Sequence, residues 1–168
     1  LSRYRVIMAV RGNYSRMIFR PLLAAILLWG QLLAAGAAAG PIDAVTIVTA
    51  QARHQFHVEL AATTEARRKG LMHRPVLAKD AGMLFIFPDS RRHGFWMKNT
   101  LVPLDLLFIA GDGRIVYVHH NAQPHSLMPI APQDAAKAVL EINGGLSRRL
   151  GIAIGDRIFH PSLTVSKE

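Results

Sequence analysis

LDLLFIAGDGRIVYVH, residues 104–119, is the stretch that decides the fold. Leu104 to Ile109 and Ile115 to His119 are short runs rich in apolar and β-branched residues, the composition of strands rather than helices. Between them Gly111-Asp112-Gly113 supplies the positive-φ positions that a tight connection demands. The segment therefore predicts a β-hairpin, and with it an antiparallel sheet.

Working outward towards the N-terminus, Phe95-Trp96-Met97-Lys98 reads as a short strand and Asp89 to Gly94 as a polar turn. Gly82 to Pro88 is a continuous apolar run, the pattern of a strand covered on both faces. A short helix precedes it, capped by Thr63 or Thr64 and stopped at Gly70-Leu71. Val45 to Thr49 and Phe56 to Leu60 alternate with period two, as half-buried strands do. Towards the C-terminus, Asn121 to Gln133 carries three prolines and predicts an irregular excursion. Ala138 to Ile142 is a further apolar segment, Gly144-Gly145 a turn, Leu146 to Leu150 a second short helix, and Asp156 to Phe159 a last strand. No full crossover helix separates most of these strands. The expected fold class is mainly β, or α+β: a compact antiparallel barrel-like sheet with two short helices.

Composition bounds what such a domain can do. The 168 residues include 20 Lys and Arg, 11 Asp and Glu, 8 His and no Cys. Arg3, Arg5, Arg11, Arg16 and Arg20 lead into a run without charge from Pro21 to Pro41, and Ala37-Ala38-Ala39 closes it with small side chains. Basic, then apolar, then small is the order of a secretory signal, with Met8 and Met17 as candidate starts. An uncleaved membrane anchor is the competing reading, because the apolar run approaches the ~20 residues a spanning helix needs. Residues 1–39 are accordingly assigned to a signal peptide or anchor and 40–168 to one globular domain. The domain is expected to be periplasmic or secreted, or held at the inner membrane if the segment is retained. The basic excess resides largely in that segment: none of the 11 acidic residues precedes Gly40, and beyond it the surplus is four. That surplus is spread along the chain, which argues against a nucleic-acid partner. Without cysteine there are no disulfides, thiol nucleophiles or zinc–thiolate centres.

Two carboxylates occupy positions where water should be scarce. Asp105 shares a strand face with Leu107 and Ile109, and Glu141 shares one with Val139. Each needs a cation or several hydrogen-bond donors to remain ionised there. For Asp105 the nearest donors in sequence are Lys98, Asn99 and Thr100, which the Pro103 corner can fold back over the strand. This constellation reads either as a polar cleft with perturbed ionisation or as a structural tie on the sheet rim. Trp96 beside Lys98 would suit a ligand surface, and Trp in a small barrel is also a common core residue. The histidines and Met72, Met83, Met97 and Met128 lack the spacing of a metal site, so no metal is expected, nor any cofactor. Ser126 and Ser147 read as turn residues.

Taken in order, Gly70-Leu71-Met72, Gly82-Met83-Leu84-Phe85, Phe95-Trp96-Met97-Lys98-Asn99-Thr100, Pro103-Leu104-Asp105 and Leu140-Glu141 resemble the signature of domain of unknown function family 192. The resemblance runs from about Val45 to Phe159. It implies a small, often exported prokaryotic protein with a compact β-rich fold, and it brings no established activity. A site shared by the family would fall on Trp96, Lys98, Asn99, Thr100 and Asp105, with Glu141 and Met72 as its outer candidates. That placement requires the loop after Met97 and the strands at 104–109 and 138–142 to converge on one concavity. Two functions are open: an accessory module binding a small polar ligand or an envelope protein, or a hydrolase or transferase acting on an envelope polymer with Asp105 or Glu141 as acid or base. Handling of copper or another metal is a third.

Overall fold

Alternation along β1 (Ile42–Val48) turns Val45 and Ile47 to one side, where they meet Phe56 and Val58 of the antiparallel β2 (Arg53–Ala61). The structure, a computed structural model, describes residues 42–163. The expected signal peptide or anchor, residues 1–39, lies outside them. No helix among the described residues is long and apolar enough to cross a membrane.

After β2, Thr63 caps α1 (Thr64–Lys69): its hydroxyl accepts from the backbone N–H of Ala66 at 3.1 Å. Gly70, with φ of 50°, ends the helix in a conformation that side chains disfavour. The chain then returns to lay β3 (Ala81–Arg91) alongside β2, and this pair is parallel, with His57 opposite Ala81. The sheet is thus mixed. Residues 62–80, with α1 among them, carry the chain back to the starting edge, a length of connection that a parallel pair requires. β4 (Leu104–Ile109), β5 (Ile115–Ala122), β6 (Ala136–Asn143) and β7 (Arg157–Phe159) complete seven strands in the order β5-β4-β6-β3-β2-β1-β7. Short α2 (Leu146–Arg149) follows β6.

The sheet curls into a half-barrel, and its two edges meet at one corner. There Ile158 N–H donates to the Gly113 carbonyl and Ile115 N–H to the Asp156 carbonyl, each at 2.8 Å. The inner face packs Val45, Ile47, Phe56, Leu84, Leu107 and Leu140. The outer face of β3, β6 and β4 is buried too: Met83, Phe85, Leu106, Phe108 and Val139 lie beneath Leu71, Met97 and Ile130. Two covered faces explain the unbroken apolar runs of β3 and β4.

Three local expectations need correction. Phe95 to Lys98 is not a strand; Phe95 makes a single bridge to Ile130, with N–H···O distances of 2.9 and 2.8 Å. Its ring is instead a wedge, edge-on to Phe85 at 5.2 Å and to Phe108 at 5.6 Å, so packing rather than a ladder fixes this segment. Asp89 to Arg91 are the last residues of β3, not a turn. β5 runs past His119 to Ala122, with its register shifted against β4 between Leu104 and Leu106.

Candidate functional site

Asp105 is fully buried, and all of its partners are backbone or hydroxyl donors. One carboxylate oxygen accepts from the N–H of Asn121 at 2.7 Å and of Gly145 at 2.8 Å. The other accepts from Ser147 twice, from its N–H at 2.7 Å and its hydroxyl at 2.6 Å. Burial alone would raise this carboxyl; the Ser147 hydroxyl and the three amides outweigh it and hold Asp105 below the ordinary carboxylate range. Asp105 therefore ties the Gly144-Gly145 turn and the start of α2 to the bulged end of β5. The expected partners, Lys98, Asn99 and Thr100, play no part in this, because the nearer donors in space come from the end of β5, the turn after β6 and α2, all more distant in sequence.

Ser147 is more than a turn residue. Its hydroxyl also lies 2.8 Å from Nδ1 of His120, so Asp105, Ser147 and His120 form a chain. The order is wrong for a nucleophile, since the hydroxyl proton goes to the carboxylate and not to the imidazole. Ser147 is also completely buried.

Glu141 belongs to the opposite face of the sheet. Register settles this: Asp105 pairs with Ile142 of the inner core, and Leu106 and Met83 of the outer core pair with Glu141. The two carboxylates therefore do not share one concavity, contrary to the sequence expectation. Glu141 is 5% exposed and borders a cavity of about 280 Å³ between α1, the Phe95 loop and the outer face. No described residue donates a hydrogen bond to it, and burial pushes its carboxyl up to about 8.

The walls of this cavity are held from several directions. Arg67 donates to the Ile86 carbonyl at 2.9 Å and lies over the Phe87 ring at 5.5 Å, which fastens α1 to β3. Arg74 pairs through both guanidinium nitrogens with Glu59 and pins the loop after α1 to β2. Phe85, Phe87 and Phe95 supply flat apolar surfaces. Of the residues singled out in sequence, Met72, Trp96, Thr100 and Glu141 line the cavity. Thr100 is buried, with its N–H on the Met97 carbonyl at 3.0 Å, and Trp96 is 51% exposed at the mouth. Lys98 and Asn99 are not among the lining residues. Lys98 sits over the Trp96 ring at 5.3 Å, and Asn99, with φ of 58°, accepts at its carbonyl from His73 N–H at 2.8 Å. The lining residues Arg67, Arg68 and His93 escaped the sequence reading. His93, buried and stacked on Phe87 with ring centroids 3.5 Å apart, was hidden in a polar stretch that reads as an ordinary turn.

Among the described residues no three His, Asp or Glu side chains converge as a metal site. Met97, Met128 and His119 border a second hollow of about 210 Å³ on the far side of the Phe95 loop. Met97 is buried in the outer core there, so its thioether packs against carbon.

Residues 45–160, the span that builds the barrel, the Asp105 tie and the Glu141 cavity, match the DUF192 family, described as uncharacterized ACR. The chain belongs to the DUF192 family. Two solved structures are similar to this DUF192 protein. One, from Sinorhizobium meliloti 1021 and provisionally described as a transcription regulator, is 43% identical, with a TM-score of 0.73 over 76% of this chain and all of its own. The other, a protein of unknown function from Novosphingobium aromaticivorans, is 39% identical, with a TM-score of 0.72 over 74% of this chain and 89% of its own. No curated protein matches the chain.

Proposed function

We propose that this DUF192 domain is a small-ligand-binding module of the cell envelope whose binding site is the cavity floored by Glu141. The observation that carries the reading is an unpaired carboxyl, almost wholly buried, at the bottom of an aromatic-walled opening. A polar group held out of water without a partner costs stability unless something supplies one, and an apolar pocket with a few convergent polar groups is the usual form of a small-molecule site. Envelope placement rests on the basic, apolar and small-residue order of the N-terminal segment.

Thermal-shift screening of the protein against envelope sugars, peptides and small metabolites tests this. A ligand at about 100 times its Kd should add roughly 2.7 kcal/mol of stability. Replacing Glu141 by Leu should abolish the shift while the fold persists, and a ligand that stabilises wild type and variant equally would place the site elsewhere.

An enzymatic reading has one specific observation in its favour. A carboxyl held near neutrality in a cavity is suited to general acid or base work, and Glu141, at about 8, is such a group. Asp105, buried and fully engaged by four donors, leaves that role to Glu141 alone. Turnover of a ligand found in the screen, lost in Glu141→Gln, would establish this second reading.

A further inference from the structure

The cavity floored by Glu141 changes character between its floor and its mouth. At the floor the Glu141 carboxyl is buried without a donor among the described residues, and burial, by pushing it up to about 8, leaves it uncharged at neutral pH. Above it stand the apolar rings of Phe85, Phe87 and Phe95. At the mouth, the exposed residues Arg68 and Lys69 of α1 line the same cavity. Lys98 comes from another loop and holds its ammonium 5.3 Å from the centroid of the Trp96 ring, which lines that opening too. Among the described residues no carboxylate pairs with any of these three cations. Cations suit the last turn of a helix, which accounts for Arg68 and Lys69. It does not account for Lys98, which belongs to no helix and gathers at the same edge.

We propose that the cavity takes a small planar organic anion: its charged head at the mouth with Arg68, Lys69 and Lys98, its ring among the phenylalanines, and a hydroxyl at its far end on Glu141. This rests on the reading that the cavity binds a ligand, and it names the ligand's class. Unpaired cations gathered at an opening raise the local concentration of anions and repel ammonium groups. A volume of about 280 Å³ lies at the small end of ligand sites and suits one ring with its substituents. A hydroxyl both donates and accepts, so it can serve the carboxyl whether or not that group holds its proton. Glu141 is the one acidic residue among those lining the cavity, and without charge it does not repel an anion above it. Glu65, one turn before Lys69, is exposed and is not a lining residue. An acidic protein segment could meet the cations of the rim but would leave the floor carboxyl without a partner, so the observations favour the small anion.

Three probes separate the head from the far end: 4-hydroxybenzoate carries both groups, benzoate lacks the hydroxyl, and 4-hydroxybenzamide lacks the charge. Each is titrated into the full-length protein at pH 7 and followed by NMR. The first is expected to bind about tenfold more tightly than benzoate, the worth of one hydrogen bond to a buried group. It should exceed the amide about fivefold, and added salt should weaken both anions while leaving the amide unchanged. Arg68 and Lys69 are exposed, so the double variant Arg68→Gln, Lys69→Gln should fold as wild type does and lose most of the preference for the anion. Glu141→Leu should bring 4-hydroxybenzoate down to the affinity of benzoate or below. An amide bound as tightly as the anion, or a benzoate bound as tightly as its hydroxyl derivative, would overturn the proposal and leave the cavity reading standing. Affinity for 4-hydroxybenzoate unchanged in Glu141→Leu would place the site elsewhere and overturn both. Silence from all three probes would overturn the planar anion, and binding of a polyglutamate peptide in their place would make the rim a docking surface for an acidic protein; the thermal-shift screen then decides the cavity reading by itself.

Discussion

Asp105 and Glu141 show how one residue class takes opposite roles within a few ångströms of sheet thickness. Both are buried carboxyls on adjacent strands, and the number of donors around each decides its ionisation. Asp105, with its proton affinity lowered in the fold, contributes stability that is fully present above the unfolded carboxyl range and is lost as pH falls through its folded value. Asp105→Asn exchanges an acceptor pair for an amide that cannot accept four donors. It should cost about 3 kcal/mol, or roughly 10 °C in melting temperature, without altering affinity at the Glu141 cavity. Glu141 has the reverse sign. Its carboxyl is raised to about 8, so the unfolded chain releases a proton the folded one keeps, and stability declines as pH rises from the ordinary carboxylate range towards 8. In chemical denaturation from pH 4.5 to 8, wild type relative to Glu141→Gln should lose more than about 1 kcal/mol. Parallel profiles for the two proteins would show that Glu141 ionises freely in the fold.

At the scale of elements, β3 and β6 hold the cavity floor in place, and their contact is closest at Gly82. A Cβ added there would lie 2.5 Å from the Glu141 carbonyl oxygen and 3.2 Å from Ile142. Both neighbours belong to β6, which is paired on one side with β3 and on the other with β4 and so cannot retreat cheaply. Gly82→Ala should therefore destabilise by about 2 kcal/mol and weaken any ligand bound at Glu141, read together by thermal melting and titration. Elements of this kind were legible where their chemistry was local. The Thr63 cap, the Gly70 stop and the Gly111 to Gly113 turn need no distant partner. The Phe95 segment was misread as a strand because its alternation of large side chains arises from wedging between Phe85 and Phe108, a long-range packing effect with the same period in sequence.

For the whole molecule, the seam at Gly113–Ile115 and Asp156–Ile158 joins the two edges of the seven-stranded half-barrel at one corner. This junction satisfies edge groups that would otherwise be left for solvent or another chain. The amides of Ile115 and Ile158 should accordingly exchange with deuterium as slowly as those of central β4 and β6, and rapid exchange at these two sites would mean that the sheet is open. The amino-acid sequence by itself determined the β-rich class, the hairpin, both helices, the two anomalous carboxylates and the family, because periodicity, capping and turn chemistry act between neighbours. Tertiary structure alone decided that β2 and β3 run parallel, that Asp105 answers to Asn121, Gly145 and Ser147, and that His93 joins Glu141 in one cavity. Those outcomes depend on which face of which strand meets which loop, and a shift of one residue in register, invisible to any local pattern, would have exchanged the inner carboxylate for the outer one.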